Sequence, residues 1–244
     1  MTRPAQLCLR TAAEYLGPLE KRFFSSGYRR AEHTVTDLSL TPPDVEQAGI
    51  SALVTVAYPA DWSKKRDEID LPPHLSSIDT LVLAAQLAEA HITHAYGLDE
   101  AARTRMRLRR VKLTAGTTPQ EELTGLPAHA RLLETRLLDA ASGTSLSVYA
   151  CRIGQMRAHC EIEHLAGGPV GRASRHARLE DILGPAEGRY YGSGFVHDAQ
   201  HIDAVRADVE RLSATAAVRL SRDEGRSDRR GGDRGRTVPR PDDD

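Results

Sequence analysis

The chain writes one fourteen-residue phrase twice. Residues 15–28 read YLGPLEKRFFSSGY, and residues 182–195, at an offset of 167, read ILGPAEGRYYGSGF. Seven of the fourteen positions are identical, and three more exchange one aromatic for another: Phe23/Tyr190, Phe24/Tyr191 and Tyr28/Phe195. Agreement of this density at a single offset marks an internal repeat. It constrains the fold, because whatever local structure follows the first copy is expected after the second. The first copy runs into AEHTVTDLSL, a turn at TPPD, and ISALVTVAYP. β-Branched residues in partial alternation on either side of a proline turn predict two extended segments. The second copy runs into AQHIDAVRAD and LSATAAVRL. Alone, that stretch also fits a helix, and the repeat favours a second strand pair.

Between the copies the pattern changes period. SSIDTLVLAAQLAEAHITHAYG (76–97) opens on Ser76-x-x-Asp79, is rich in strong helix formers and stops at Gly97. That start resembles a capping box, and the glycine is a favoured helix stop. The segment is apolar around most of its circumference, which predicts burial. Strand-like runs follow at 105–116, 129–140 and 145–165, the last read as one long curved strand. ASGT makes a short turn between the second and third runs. Two strands, a buried helix and three long strands predict an α+β hotdog fold, an antiparallel sheet wrapped around a central helix. The expected division is a first hotdog unit at 10–170, the truncated start of a second repeat at 171–220, and a disordered tail at 221–244.

Composition narrows the partners. The formal net charge is −1 over 244 residues, so neither nucleic acid nor an anionic membrane is expected as the main partner. No apolar run reaches eighteen residues, and the N-terminus has no signal-peptide pattern. Three cysteines without CxxC spacing fit free thiols in a reducing, cytoplasmic setting. From Ser221 onward the chain holds seven Arg and seven acidic residues but a single apolar one, Val238, too little to offset the entropy of ordering.

The phrase RFFSSGY, the helix SSIDTLVLAAQLAEA and the second phrase RYYGSGF, in that order, resemble the AvrD family over about residues 10–220. The resemblance implies a biosynthetic protein that moves a β-ketoacyl group from a thioester to a sugar-like hydroxyl and so makes an acylated lactone of the syringolide type. The chemistry is akin to A-factor-type γ-butyrolactone synthesis. The implied donor is an acyl thioester on acyl carrier protein or coenzyme A, with a sugar or polyol as acceptor and no bound cofactor. A homodimer through hotdog sheets is the candidate self-association. A hotdog dehydratase or thioesterase, a non-catalytic acyl-ligand binder and a truncated remnant stay open as alternatives.

On a helical wheel Asp79, Gln86 and Thr93 fall on one line, with Glu89 on the same side. A polar stripe on a buried helix makes Glu89, Gln86 and Asp79 the candidate catalytic residues, with Glu89 as the base. The alternative for Asp79 is a helix cap, and for Glu89 an ion pair with Arg109 or Arg136. Ser77, at the helix start, is a candidate for polarising a thioester carbonyl through free backbone N–H groups. Arg22 and Tyr28 from the repeated phrase and His33 just after it complete the candidate substrate-binding set. Structural roles compete: an aromatic plug with Arg22 paired to Glu20, and a structural histidine at a strand entry. HCEIEH (159–164) puts His159 and Glu161 on one strand face and His164 on the other, so no metal is expected there.

Overall fold

The computed structural model describes residues 6–18, 27–60, 62, 72–165, 171–208, 210 and 213–222. They divide between a unit of residues 13–196 and a smaller unit drawn from 1–12 and 197–244. The stretch 171–196, assigned from the repeat to a second unit, lies with the first.

The larger unit contains helices α1 (Ala13–Leu16), α2 (Ser77–Tyr96), α3 (Glu100–Arg103) and α4 (Glu180–Leu183). In the smaller unit a first strand, β1 (Gln6–Thr11), precedes α1 in the chain. The strands of the larger unit are β2 (Glu32–Thr41), β3 (Gly49–Ala57), β4 (Arg107–Thr114), β5 (Leu126–Asp139), β6 (Thr144–Ile153), β7 (Met156–Leu165) and β8 (Ser174–Arg178). They form one antiparallel sheet in the order β4-β7-β6-β5-β3-β2-β8. Two strands and the helix fall where the sequence placed them. The run 145–165 is two strands and not one, because Gly154, at φ 55°, reverses the chain between β6 and β7. The buried positions change phase across that turn, from 149, 151 and 153 in β6 to 158, 160, 162 and 164 in β7, a one-residue slip that a single-strand reading passes over.

The hotdog expectation is corrected by this architecture. The chain is mostly antiparallel sheet, and α2 is the single helix longer than four residues among the described residues. It packs on the seven-stranded sheet and is not a central axis with sheet wrapped around it. Its all-round apolar character has another cause: the segment around α4 covers further helix surface, with Gln86 Nε2 donating to the Tyr191 carbonyl at 2.6 Å. Leu83, Leu87 and Ile92 are completely buried with Val54, Tyr149 and Ile153. One polar contact crosses this core: His91 Nε2 donates to the Thr41 carbonyl at 2.9 Å, which leaves Nδ1 to accept from Tyr149 Oη at 2.7 Å.

In the smaller unit β1 pairs with β9 (Asp198–Asp208), which pairs with β10 (Ser213–Arg222), all antiparallel. The hairpin after the second copy of the phrase is therefore strand, as the first copy foretold. A second hotdog unit does not follow. β10 takes in Ser221 and Arg222 of the expected tail, and residues 223–244 lie outside the described residues.

The two copies repeat their backbone as well as their letters. Gly17 (φ 75°) ends α1 with its N–H on the Ala13 carbonyl, and its counterpart Gly184 (φ 71°) ends α4 with its N–H on the Glu180 carbonyl, both at 2.9 Å. The non-glycine residues with positive φ among the described residues, Asp37 (53°) and Ala204 (50°), are also counterparts. Pairing is reciprocal: Leu9 of β1 faces Val205 of β9, and their counterparts His176 of β8 and Leu38 of β2 face each other. Each copy's preceding strand thus pairs with the strand that follows the other copy.

Gly184 combines φ 71° with ψ −174°, a region open essentially to glycine, and no neighbouring heavy atom lies within 4 Å of a Cβ placed there. Gly184→Ala is expected to cost about 1–3 kcal/mol through backbone strain alone, whereas Gly188→Ala, equally uncrowded and without that φ, should be near neutral. Urea denaturation of both variants checks this, and equal stabilities would contradict it.

Candidate functional site

The N-terminus of α2 builds the site. Ser76 caps it, its Oγ accepting from the Asp79 N–H at 3.1 Å, while the Asp79 carboxylate accepts from the Ser76 N–H at 3.3 Å. Asp79 Oδ2 also accepts from the hydroxyls of Tyr58 and Ser76, and Oδ1 lies 2.8 Å from His33 Nε2. The sheet register explains why these groups meet. Glu32 faces Ala57 and His33 faces Val56, so the start of β2 lies beside the end of β3, where Tyr58 follows. Asp79 is only 1% exposed, and a carboxylate that deep is tolerated when its acceptor sites are filled. Burial alone pushes its pKa up. Hydrogen bonds from His33, Ser76 and Tyr58, with the charge of His33, outweigh that and hold it below the ordinary carboxylate value. Burial and the neighbouring Asp79 charge push the Tyr58 phenol well above its usual range, so it remains a donor.

His33 also lines a cleft of about 270 Å³ with Gln86, Glu180, Arg189, Ser193 and Phe195. A carboxylate can only accept, so His33 Nε2 carries the proton toward Asp79 and Nδ1 is the basic nitrogen. Arg189 is 7% exposed, with Nη2 3.5 Å from Glu180 Oε1 and Nη1 without a hydrogen-bond partner. Burial lowers its pKa, and Glu89 and Glu180 oppose the shift. Phe195 stacks against its repeat counterpart Tyr28, ring centres 6.1 Å apart and planes 20° from parallel. A cleft of about 320 Å³ beside the β2–β3 turn has three carboxylates in its lining, Asp44, Glu46 and Glu134, and no histidine or arginine. The chemistry concentrates in the first cleft.

The sequence-derived candidates separate here. Asp79, His33 and Gln86 converge. Glu89 is half-buried and outside the cleft lining; burial raises its pKa, and the charges of Arg189 and Arg103 temper the rise. The arginines suggested for it lie elsewhere, Arg109 pairing with Glu163 at 3.5 Å. Ser77 is exposed and outside the cleft lining. The helix end proposed to polarise a carbonyl already holds the Asp79 carboxylate. Tyr28 is buried, its hydroxyl accepting from Arg29 Nε at 3.3 Å. Arg22 lies outside the described residues. Tyr58, Ser76 and Arg189 are site residues that the structure adds, and of these Arg189 is legible in the sequence as the repeat copy of Arg22.

The model of the family described as Pseudomonas avirulence D protein (AvrD) matches residues 7–239. The chain belongs to the AvrD family. No curated protein matches it. Among the described residues no helix is long and apolar enough to cross a membrane. For this AvrD-family chain, the Asp79–His33 pair and the cleft beside it are the features a functional account has to explain.

Because the folded pKa of Asp79 is depressed, its ionised form stabilises the fold above the ordinary carboxylate value of 3.8, and that contribution is lost as pH falls through the folded value. Asp79→Asn should therefore be less stable than the natural chain at neutral pH, with the gap closing below about pH 4. Thermal melts of both proteins across this range test it. A gap that persists undiminished into acid would contradict the ionised assignment.

Proposed function

We propose that the cleft transfers a β-ketoacyl group from a thioester to a hydroxyl of a sugar-like acceptor, with His33 as the base. The observation that supports this is the 2.8 Å contact between His33 and the buried Asp79 carboxylate at the edge of the cleft. A carboxylate behind an imidazole fixes its tautomer and stabilises the imidazolium that forms when the ring takes a proton. His33 Nδ1 removes the acceptor's hydroxyl proton as the oxygen attacks the thioester carbonyl. The tetrahedral intermediate then collapses, the C–S bond breaks, and the departing sulfur takes the proton from His33. Gln86, held through its Nε2 on the Tyr191 carbonyl, orients the acceptor with its remaining amide oxygen.

Glu89 has a different task in this reading. Its carboxylate is a counter-charge to Arg189 and not the base. Membership of a family described as avirulence proteins supports a role in biosynthesis, and the acylated lactone product, the carrier of the acyl group and the acceptor all belong to the proposal. Phe195, Val35, Leu179 and Val196 give the cleft an apolar wall suited to an acyl chain.

His33→Gln should lower acyl transfer by about 10²–10⁴-fold, the usual contribution of a positioned base, and Glu89→Gln should lower it far less. Release of free thiol from an acetoacetyl-pantetheine thioester, with and without a polyol, measures both. Unchanged turnover in His33→Gln together with loss in Glu89→Gln would return the base to the helix.

A further inference from the structure

Arg189 lines the cleft and carries a buried donor with no partner. Its side chain is 5% exposed; Nη2 faces Glu180, Nε reaches the Pro185 carbonyl at 3.4 Å, and Nη1 meets no acceptor. Buried N–H groups are normally paired, and an orphan on a side chain that lines a cleft fits an acceptor supplied by a ligand that displaces its cover. The lining sets the kind of acceptor. Arg29 and Arg189 are balanced there by Glu32 and Glu180, which disfavours a doubly charged phosphate. One oxygen on which negative charge gathers during a reaction fits a single guanidinium N–H better.

We infer that the cleft enolises its substrate: it binds a carbonyl compound with an acidified α-C–H, His33 takes the α-proton, and Arg189 Nη1 donates to the oxygen that becomes the enolate. This rests on the assignment of His33 as the base made above. The step balances without a further reactant. The C–H bond breaks, its electron pair forms the C=C bond, and the carbonyl π pair moves onto oxygen. The proton resides on His33 Nδ1, with Asp79 behind the imidazolium, and returns to carbon in the reverse step. The substrate class is a 1,3-dicarbonyl, whose α-proton is acidic enough for an imidazole to remove.

Pentane-2,4-dione is a suitable probe, with its α-proton exchange in D₂O followed by NMR on the full chain and folding monitored by circular dichroism. The natural protein should accelerate exchange. Arg189→Gln should lose about 10²–10³-fold of that acceleration, as expected for removing one oxyanion donor. Arg189→Lys keeps the charge but moves the donor, so it should lose about tenfold or more and decides the matter if the glutamine variant does not fold. Exchange at the natural rate in the folded lysine variant overturns the inference, as does a natural protein that gives no acceleration. If His33→Gln abolishes exchange while both Arg189 variants retain it, the base assignment survives and the role of Arg189 does not. If exchange ignores His33, both fall.

Discussion

One buried carboxylate organises the functional half of this structure. Asp79 sits at the first turn of α2, where unpaired backbone N–H groups and the helix dipole favour negative charge. It is nearly inaccessible to water, so its position is tolerable only while Ser76, Tyr58 and His33 all contribute donors. Those donors come from a helix cap, the residue after β3 and the start of β2. Satisfying one charge therefore ties the helix to two adjacent strands and fixes the imidazole of His33 beside the cleft. The capping and functional readings of Asp79, set against each other in the sequence, describe one arrangement. The carboxylate that caps the helix also orients His33.

Helix and cap were legible because both follow from local rules. Apolar residues around most of 76–97, a Ser-x-x-Asp start and Gly97 at the stop left little freedom, and Gly97 takes φ 61° as a stop glycine should. The sheet was less legible. The turn at Gly154 shifts the alternation by only one residue, and β8 is too short and polar (SRHAR) to announce itself. The hotdog reading failed for a related reason. An all-round apolar helix reports that every side is covered, and it does not report by what. Here the sheet covers one part and the segment from Leu179 to Tyr191 another, a tertiary fact with no local signature.

The site shows the same division. His33, Gln86 and Asp79 carried a signal because of their spacing or their place beside the repeat. Tyr58 carried none, since its role depends on the register that brings the end of β3 beside the start of β2. Arg189 carried the signal of the repeat, as the counterpart of Arg22, but its burial beside Glu180 is a tertiary fact. The repeat is best understood as a reusable local program: short helix, left-handed glycine, 3₁₀ turn and strand, executed twice with pairings exchanged between copies. Stacking of Tyr28 on Phe195 brings the ends of both copies together within the larger unit, beside the cleft that Phe195 lines.

The central claim is that Asp79 holds His33 with its proton on Nε2 and its basic nitrogen on Nδ1. Nitrogen-15 NMR of the histidine side chains at neutral pH reads this directly, with His33→Gln supplying the assignment. The account predicts that, in the uncharged ring, Nε2 carries the proton and Nδ1 is pyridine-like, and that this tautomeric preference is lost in Asp79→Asn. A His33 ring protonated on Nδ1 alone, or one whose tautomer ignores residue 79, would contradict it.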